Sequence, residues 1–227
     1  MGLAFFVTEK CQFNCEYCDI PTIKNPKHFD PVLFLRYVDF INDHPFNFIT
    51  MTGGEPGLLS EVHISLLFTH IVHPINVNTN GLFIKKGYYE KYKNKIQMLD
   101  YHIVNTTIDH ELDEKGRYIL VSHAKNQEFI LCMQAKYPHI DFIVRAYDDK
   151  LNKPEFQNND LNPKEKCINA IKEIDWVNGK LVDCCKSPIS SPKCDLSERS
   201  LKDFLNTKLS RRWHACEYCQ WYKKFGS

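Results

Sequence analysis

The sequence lacks any excess of charge: 29 lysines and arginines face 28 acidic residues, a net of +1. This balance removes the electrostatic case for a nucleic acid or a membrane surface as partner. No apolar run approaches the length of a bilayer span, and Met1-Gly2-Leu3-Ala4 leads into a strand-like stretch without a basic, apolar leader. The expectation is a soluble, cytoplasmic protein. Internal repeats and low-complexity tracts are missing as well, and none of the 10 histidines has metal-ligand spacing with a second one on a helix face.

Cysteine is what the chain has in quantity, 10 in 227 residues. A secreted disulfide framework has no compartment here without a leader, so clustered cysteines point to metal or redox chemistry. Cys11, Cys15 and Cys18 lie near the start, and Cys167, Cys184, Cys185, Cys194, Cys216 and Cys219 all follow residue 166. Only Cys132 lies between, in the helix-like stretch Gln127 to Ala135, where an ordinary buried thiol is expected.

The stretch Cys11-Gln12-Phe13-Asn14-Cys15-Glu16-Tyr17-Cys18 spaces its thiols by three and then two residues. Thiolate is a soft ligand suited to iron-sulfur clusters and zinc. A cube has four iron corners and this loop covers three, which leaves one iron open. A closed structural zinc site is the alternative, but it wants four ligands.

This loop, with aromatic Tyr17 before its last cysteine, resembles the signature of the radical S-adenosylmethionine (radical SAM) superfamily. The resemblance implies a [4Fe-4S] cluster whose open iron chelates the amino and carboxylate groups of S-adenosylmethionine. One electron then breaks the sulfonium, and a 5'-deoxyadenosyl radical takes a hydrogen atom from substrate. An external one-electron donor such as flavodoxin or ferredoxin is implied too.

Apolar and helical periodicities alternate along the chain. Strands are expected at Leu3 to Thr8, Phe46 to Thr52, Ile75 to Thr79, His102 to Ile108, Tyr118 to Ser122 and Ile140 to Tyr147. Helices are expected after the Asp30-Pro31 cap and over Glu61 to His70, Tyr88 to Lys95 and Asn126 to Lys136. Such alternation indicates an α/β fold with parallel pairing. Six core strands match the partial (β/α)6 barrel that the resemblance implies, placed at residues 1–147. Residues 148–162 read as a polar linker.

Gly53-Gly54-Glu55-Pro56 ends the second strand, on the rim where parallel α/β folds bind ligands. Glycines let backbone approach a ligand, and Glu55 offers an acceptor to an ammonium. In the superfamily this element meets the methionine amino group, which places Gly53, Gly54 and Glu55, with Tyr17, among the cofactor-binding candidates. Matching positions after the third and fourth strands present small polar groups to the cofactor, here Asn80 and Thr107. Turn chemistry and a strand-end hydroxyl account for these two equally well. Arg145 is a candidate for the cofactor carboxylate, or an exposed strand residue.

In residues 163–227, Ile174 to Val177 and Lys180 to Val182 flank Asn178-Gly179, a strong hairpin signal, and Cys184 follows. Cys216-Glu217-Tyr218-Cys219 lets two sulfurs face one metal. This region resembles the twitch form of the SPASM extension, which implies an auxiliary [4Fe-4S] cluster on Cys167, Cys184, Cys216 and Cys219. A four-cysteine zinc knot, Cys185 in place of Cys184, and a ligand role for Cys194 stay open. The basic aromatic residues near the carboxyl end read as a solvated terminus.

The sequence therefore leads to the expectation of a radical SAM enzyme, an oxidoreductase that dehydrogenates a small molecule in two electrons with help from the auxiliary cluster. Peptide modification, including crosslinking, is the alternative within the superfamily, and a non-catalytic iron-sulfur or zinc module is the alternative outside it. The sequence assigns no general base.

Overall fold

The computed structural model describes residues 2–15, 18, 20, 23–104, 110–114, 116–122, 127–146, 173–177, 180–182 and 194–195. Strand β1 (Gly2–Thr8) is buried along its whole length. Leu3, Phe5 and Val7 alternate onto the face that receives the helices, as the two-residue period of a strand requires. Helix α1 (Pro31–Asp43) begins where Asp30 Oδ1 accepts the N–H groups of Val32 (2.8 Å) and Leu33 (3.3 Å), and proline supplies the first turn. Its buried side chains are Phe34, Val38 and Ile41. Strand β2 (Phe48–Gly53) follows, then a short 3-10 turn (Pro56–Leu58) and helix α2 (Glu61–His70), capped by Ser60.

Strand β3 (Ile75–Thr79) leads through the short helices α3 (Leu82–Lys85) and α4 (Tyr88–Tyr92) to β4 (Ile96–Ile103). Strand β5 (Gly116–Ser122), helix α5 (Gln127–Lys136) and β6 (Phe142–Ala146) complete the series. Each of β1 to β5 pairs in parallel with the next. The helices bury Ile49 and Met51 of β2 and Ile75 and Val77 of β3 in one core with Ile64, Leu67 and Phe68 of α2. Each such side chain contributes roughly 1.5–3 kcal/mol on leaving water. α5 packs Ile130 and Met133 over Tyr101, Ile103, Tyr118 and Leu120.

Two expectations change. The fourth strand is Ile96–Ile103, six residues earlier than the stretch beginning at His102, and α3 was not foreseen. Cys132 is exposed, not buried, because α5 turns Ile130 and Met133 inward and leaves position 132 on the opposite side.

The expected hairpin strands are present as β7 (Glu173–Val177) and β8 (Lys180–Val182), antiparallel with Trp176 opposite Leu181. β9 (Cys194–Asp195) pairs with β8. β7 also runs parallel to β1, with Gly2 opposite Glu173, so the hairpin continues the main sheet, in the order β6-β5-β4-β3-β2-β1-β7-β8-β9. The linker at 148–162, the boundaries on either side of it, and Cys167, Cys184, Cys185, Cys216 and Cys219 lie outside the described residues. Among the described residues no helix is long and apolar enough to cross a membrane.

Candidate functional site

The first cysteine loop leaves the carboxyl end of β1 and is closed at its base. Phe29 N–H donates to Val7 O (3.0 Å), and Glu9 N–H donates to Lys27 O (2.8 Å). Thr8 Oγ1 and His28 Nδ1 lie 2.9 Å apart, with the Lys10 N–H donating to the same hydroxyl (3.0 Å). Burial, then Lys10 and His63, hold the His28 imidazole below its ordinary value. Inside the loop, Cys18 N–H donates to Cys15 O (3.0 Å), which turns the chain between those two thiols.

The glycine turn after β2 is fastened to this loop through backbone. Gly54 N–H donates to Thr8 O (2.6 Å) and Glu55 N–H donates to Lys10 O (2.8 Å). Gly53 has φ +110°, and a Cβ on Gly54 would stand 2.0 Å from Lys10 O. Neither position accepts a side chain without moving the loop.

Glu55 is 1% exposed. Its Oε1 accepts from Gly57 N–H (2.7 Å), Thr79 Oγ1–H (2.7 Å) and Phe83 N–H (3.2 Å), and its Oε2 accepts from Asn80 N–H (2.7 Å). Burial raises its carboxyl above the usual range, and these four donors oppose that shift. Sequence reasoning reads Glu55 as an acceptor for a cofactor ammonium; in the structure its carboxylate also joins the ends of β2 and β3.

Asn80 carries the connection to sulfur. Gln12 Nε2 donates to Asn80 Oδ1 (2.8 Å), which turns Asn80 Nδ2 toward Cys11 Sγ (3.5 Å). Phe13 N–H donates to the same sulfur at 3.4 Å. Burial pushes the Cys11 thiol up, Phe13 N–H lowers it, and Glu55, Cys15 and Cys18 add to the rise. Cys11, Cys15 and Cys18 are in no disulfide, and each is partly exposed. Among the described residues no three His, Cys, Asp or Glu side chains converge on the position of one metal ion. The donor chemistry, three soft sulfurs on one rim loop with N–H donors aimed at one of them, fits an iron-sulfur cube that spreads its protein ligands over separate irons.

Of the remaining candidates, Arg145 lies in β6 opposite Val121, while Tyr17 and Thr107 fall outside the described residues. The structure adds residues that spacing did not single out. Tyr101 hydroxyl meets His110 Nδ1, Tyr137 hydroxyl donates to His110 O (2.7 Å), and Tyr118 hydroxyl donates to Asp113 O (2.5 Å). Tyr89 hydroxyl donates to the Asp113 carboxylate. Four tyrosines thus clasp residues 110–114 beside the β3 and β4 ends. Burial raises the Tyr89, Tyr101 and Tyr118 phenols above their ordinary range.

The profile of the Radical SAM superfamily matches residues 5–135. Among curated proteins, the chain is 31% identical over 91 residues to molybdenum cofactor biosynthesis protein moc-5 of Caenorhabditis elegans, covering 37% of this chain and 15% of that one. It is 29% identical over 113 residues to the GTP 3',8-cyclase of Nautilia profundicola, covering 45% of this chain and 33% of that one. The matched segments thus span a third or less of these relatives. Among solved structures, native anSMEcpe with bound AdoMet and the Cp18Cys peptide has a TM-score of 0.63 at 11% identity, covering 99% of this chain and 87% of that one. SuiB of Streptococcus suis bound to S-adenosylmethionine has a TM-score of 0.52 at 12% identity, covering 98% and 71%. These two likenesses concern the fold. The family profile covers more than half of the chain and takes in both the cysteine loop and the glycine turn fastened to it, and the chain belongs to the radical SAM superfamily.

Proposed function

We propose that this chain is a radical SAM enzyme that binds a [4Fe-4S] cluster on Cys11, Cys15 and Cys18 and S-adenosylmethionine beside it. The observation that carries the reading is the backbone junction of Gly54 and Glu55 with Thr8 and Lys10, reinforced by the Asn80 contact to Cys11 Sγ. With cluster and nucleotide bound, the chemistry supplied is one-electron cleavage of the sulfonium to a 5'-deoxyadenosyl radical that removes a substrate hydrogen. The chain's own part is positional. The Glu55 brace fixes two loop ends and the hydrogen bonds at the loop base hold the cysteine loop, so that a substrate would be selected by its distance from the bound cofactor. Gly53, Gly54, Glu55 and Asn80 are assigned to the cofactor, with Tyr17, Thr107 and Arg145 as further contacts.

The net reaction proposed is a two-electron dehydrogenation of a small molecule, with an auxiliary cluster on Cys167, Cys184, Cys216 and Cys219 taking the second electron. Peptide modification is the second reading, supported by the fold likeness to anSMEcpe, whose structure holds a peptide. The matches to the curated relatives cover 37% and 45% of this chain, which does not carry their substrate over. Anaerobic reconstitution followed by dithionite and S-adenosylmethionine is the test. Release of 5'-deoxyadenosine is expected; no release would leave only a metal-binding module. A Cys216→Ala, Cys219→Ala double variant should lose about four irons per chain if the second site holds a [4Fe-4S] cluster, and none if it holds zinc.

A further inference from the structure

We propose that Gln12 is a positioning residue that tunes the reduction potential of the cluster, by fixing which end of the Asn80 side-chain amide faces Cys11 Sγ. This rests on the reading above, since the cluster it acts on is the one assigned to Cys11, Cys15 and Cys18.

Two N–H groups approach the Cys11 sulfur. That of Phe13 is main-chain and reaches it at 3.4 Å, so the course of the loop alone fixes its direction. That of Asn80 belongs to a side-chain amide at 3.5 Å, and an amide can turn about its last bond to present oxygen instead. The backbone beneath it has no such freedom. Asn80 N–H is held by the buried Glu55 carboxylate (2.7 Å), and Gly81 N–H by Thr79 Oγ1 (3.1 Å). The terminal amide is therefore the reversible element of this contact.

Gln12 decides its direction. It follows Cys11 in the loop, 68 residues from Asn80, and its Nε2 donates to Asn80 Oδ1 at 2.8 Å. Holding the oxygen leaves Nδ2 for the sulfur. A turned Asn80 amide would set N–H against the Gln12 N–H and oxygen against the sulfur, giving up both contacts at once. Turning Gln12 as well restores only the first contact. Its other end, Oε1, stands 3.9 Å from Cys11 Sγ, so an N–H placed there would be farther away than the Asn80 oxygen placed at 3.5 Å. The direction matters because reduction adds negative charge to the cluster and its sulfurs. An N–H aimed at Cys11 stabilises the reduced state, and a carbonyl oxygen opposes it.

Gln12 is exposed, so its substitution leaves the core untouched. Gln12→Glu replaces the donor with a carboxylate that accepts from Asn80 Nδ2 and so turns the amide. The added charge opposes reduction as well, and a double-mutant cycle with Asn80→Leu separates the two effects. The measurement is an EPR-monitored redox titration of the reconstituted full chain. Gln12→Glu should lower the reduced-to-oxidised ratio at a fixed potential by about tenfold more in the native background than in the Asn80→Leu background. Equal shifts in both backgrounds would show that charge alone acts, and would overturn the assignment. A second readout needs no cluster. In the 15N-labelled, cluster-free chain, an Asn80 side-chain amide proton should move downfield in Gln12→Glu as it turns onto the carboxylate, with the melting temperature unchanged. Amide signals at their native positions would overturn the assignment, and a merely structural role for Gln12 would move the melting temperature instead. The iron content of the reconstituted native chain is read first. Fewer than about four irons removes the cluster reading itself, whereas a null cycle with the irons in place removes only the role of Gln12.

Discussion

The main-chain N–H of Asn80 donates to Glu55 Oε2 at 2.7 Å, and through this bond the loop after β3 is held to the glycine turn after β2. The same asparagine reaches Cys11 Sγ with its side chain, so one residue joins a buried carboxylate to a rim thiol.

Glu55→Ala removes the acceptor for four donors in a site that is 1% exposed. The expected loss is more than about 3 kcal/mol, because each stranded donor forfeits its solvation. Glu55→Gln keeps the shape but turns an N–H₂ toward a donor, at a cost of about 1–3 kcal/mol. Urea titration of both variants checks the order.

Gly54→Ala forces a methyl to within 2.0 Å of Lys10 O, a backbone atom that cannot rotate away. The loop must move, at a cost of about 1–3 kcal/mol. Iron bound per chain after reconstitution should fall along with stability, and colorimetric iron analysis measures it.

Asn80→Leu deletes the N–H that faces Cys11 Sγ while keeping the side-chain shape. Hydrogen bonds to cluster sulfurs favour the reduced state. The midpoint potential should therefore move to more negative values, as read by an EPR-monitored redox titration. An unchanged potential would remove Asn80 from the cluster's surroundings.

His28 gives the loop base a pH dependence. Its folded-state pKa is depressed, by burial first and then by Lys10 and His63, so below about pH 6.5 the unfolded chain binds the proton more readily than the folded one. Its contribution to stability is full above that value and is lost as pH falls through the folded pKa. His28→Gln should flatten the slope of stability against pH over this acidic interval, measured by urea midpoints at a series of pH values.

The cysteine spacing, the Asp30-Pro31 cap and the alternation of strands and helices were legible because each is a local pattern. β4 was misplaced because its polar residues disguise it. Gln97 is exposed, and the buried Asp100 is tolerated only through Arg117 across the strand, a partner that spacing does not reveal. The run His102 to Ile108, rich in β-branched residues, drew the assignment instead. The inward turn of Glu55 was hidden for the same reason, since Thr79 and Phe83 reach it only once β2 and β3 are paired. The alternation in Ile75-Asn76-Val77-Asn78 was a local signal for a polar face and could have been read.

β1 lies between β2 and β7, with Gly2 paired to Glu173. A ribosome that delivers roughly 5–20 residues per second makes the first strand wait some ten to thirty seconds for its outer neighbour. During that interval its backbone edge can template pairing with a second nascent chain. Translation stalled before residue 173 should yield insoluble product, and a chaperone that shields an apolar strand edge should raise the yield of folded protein.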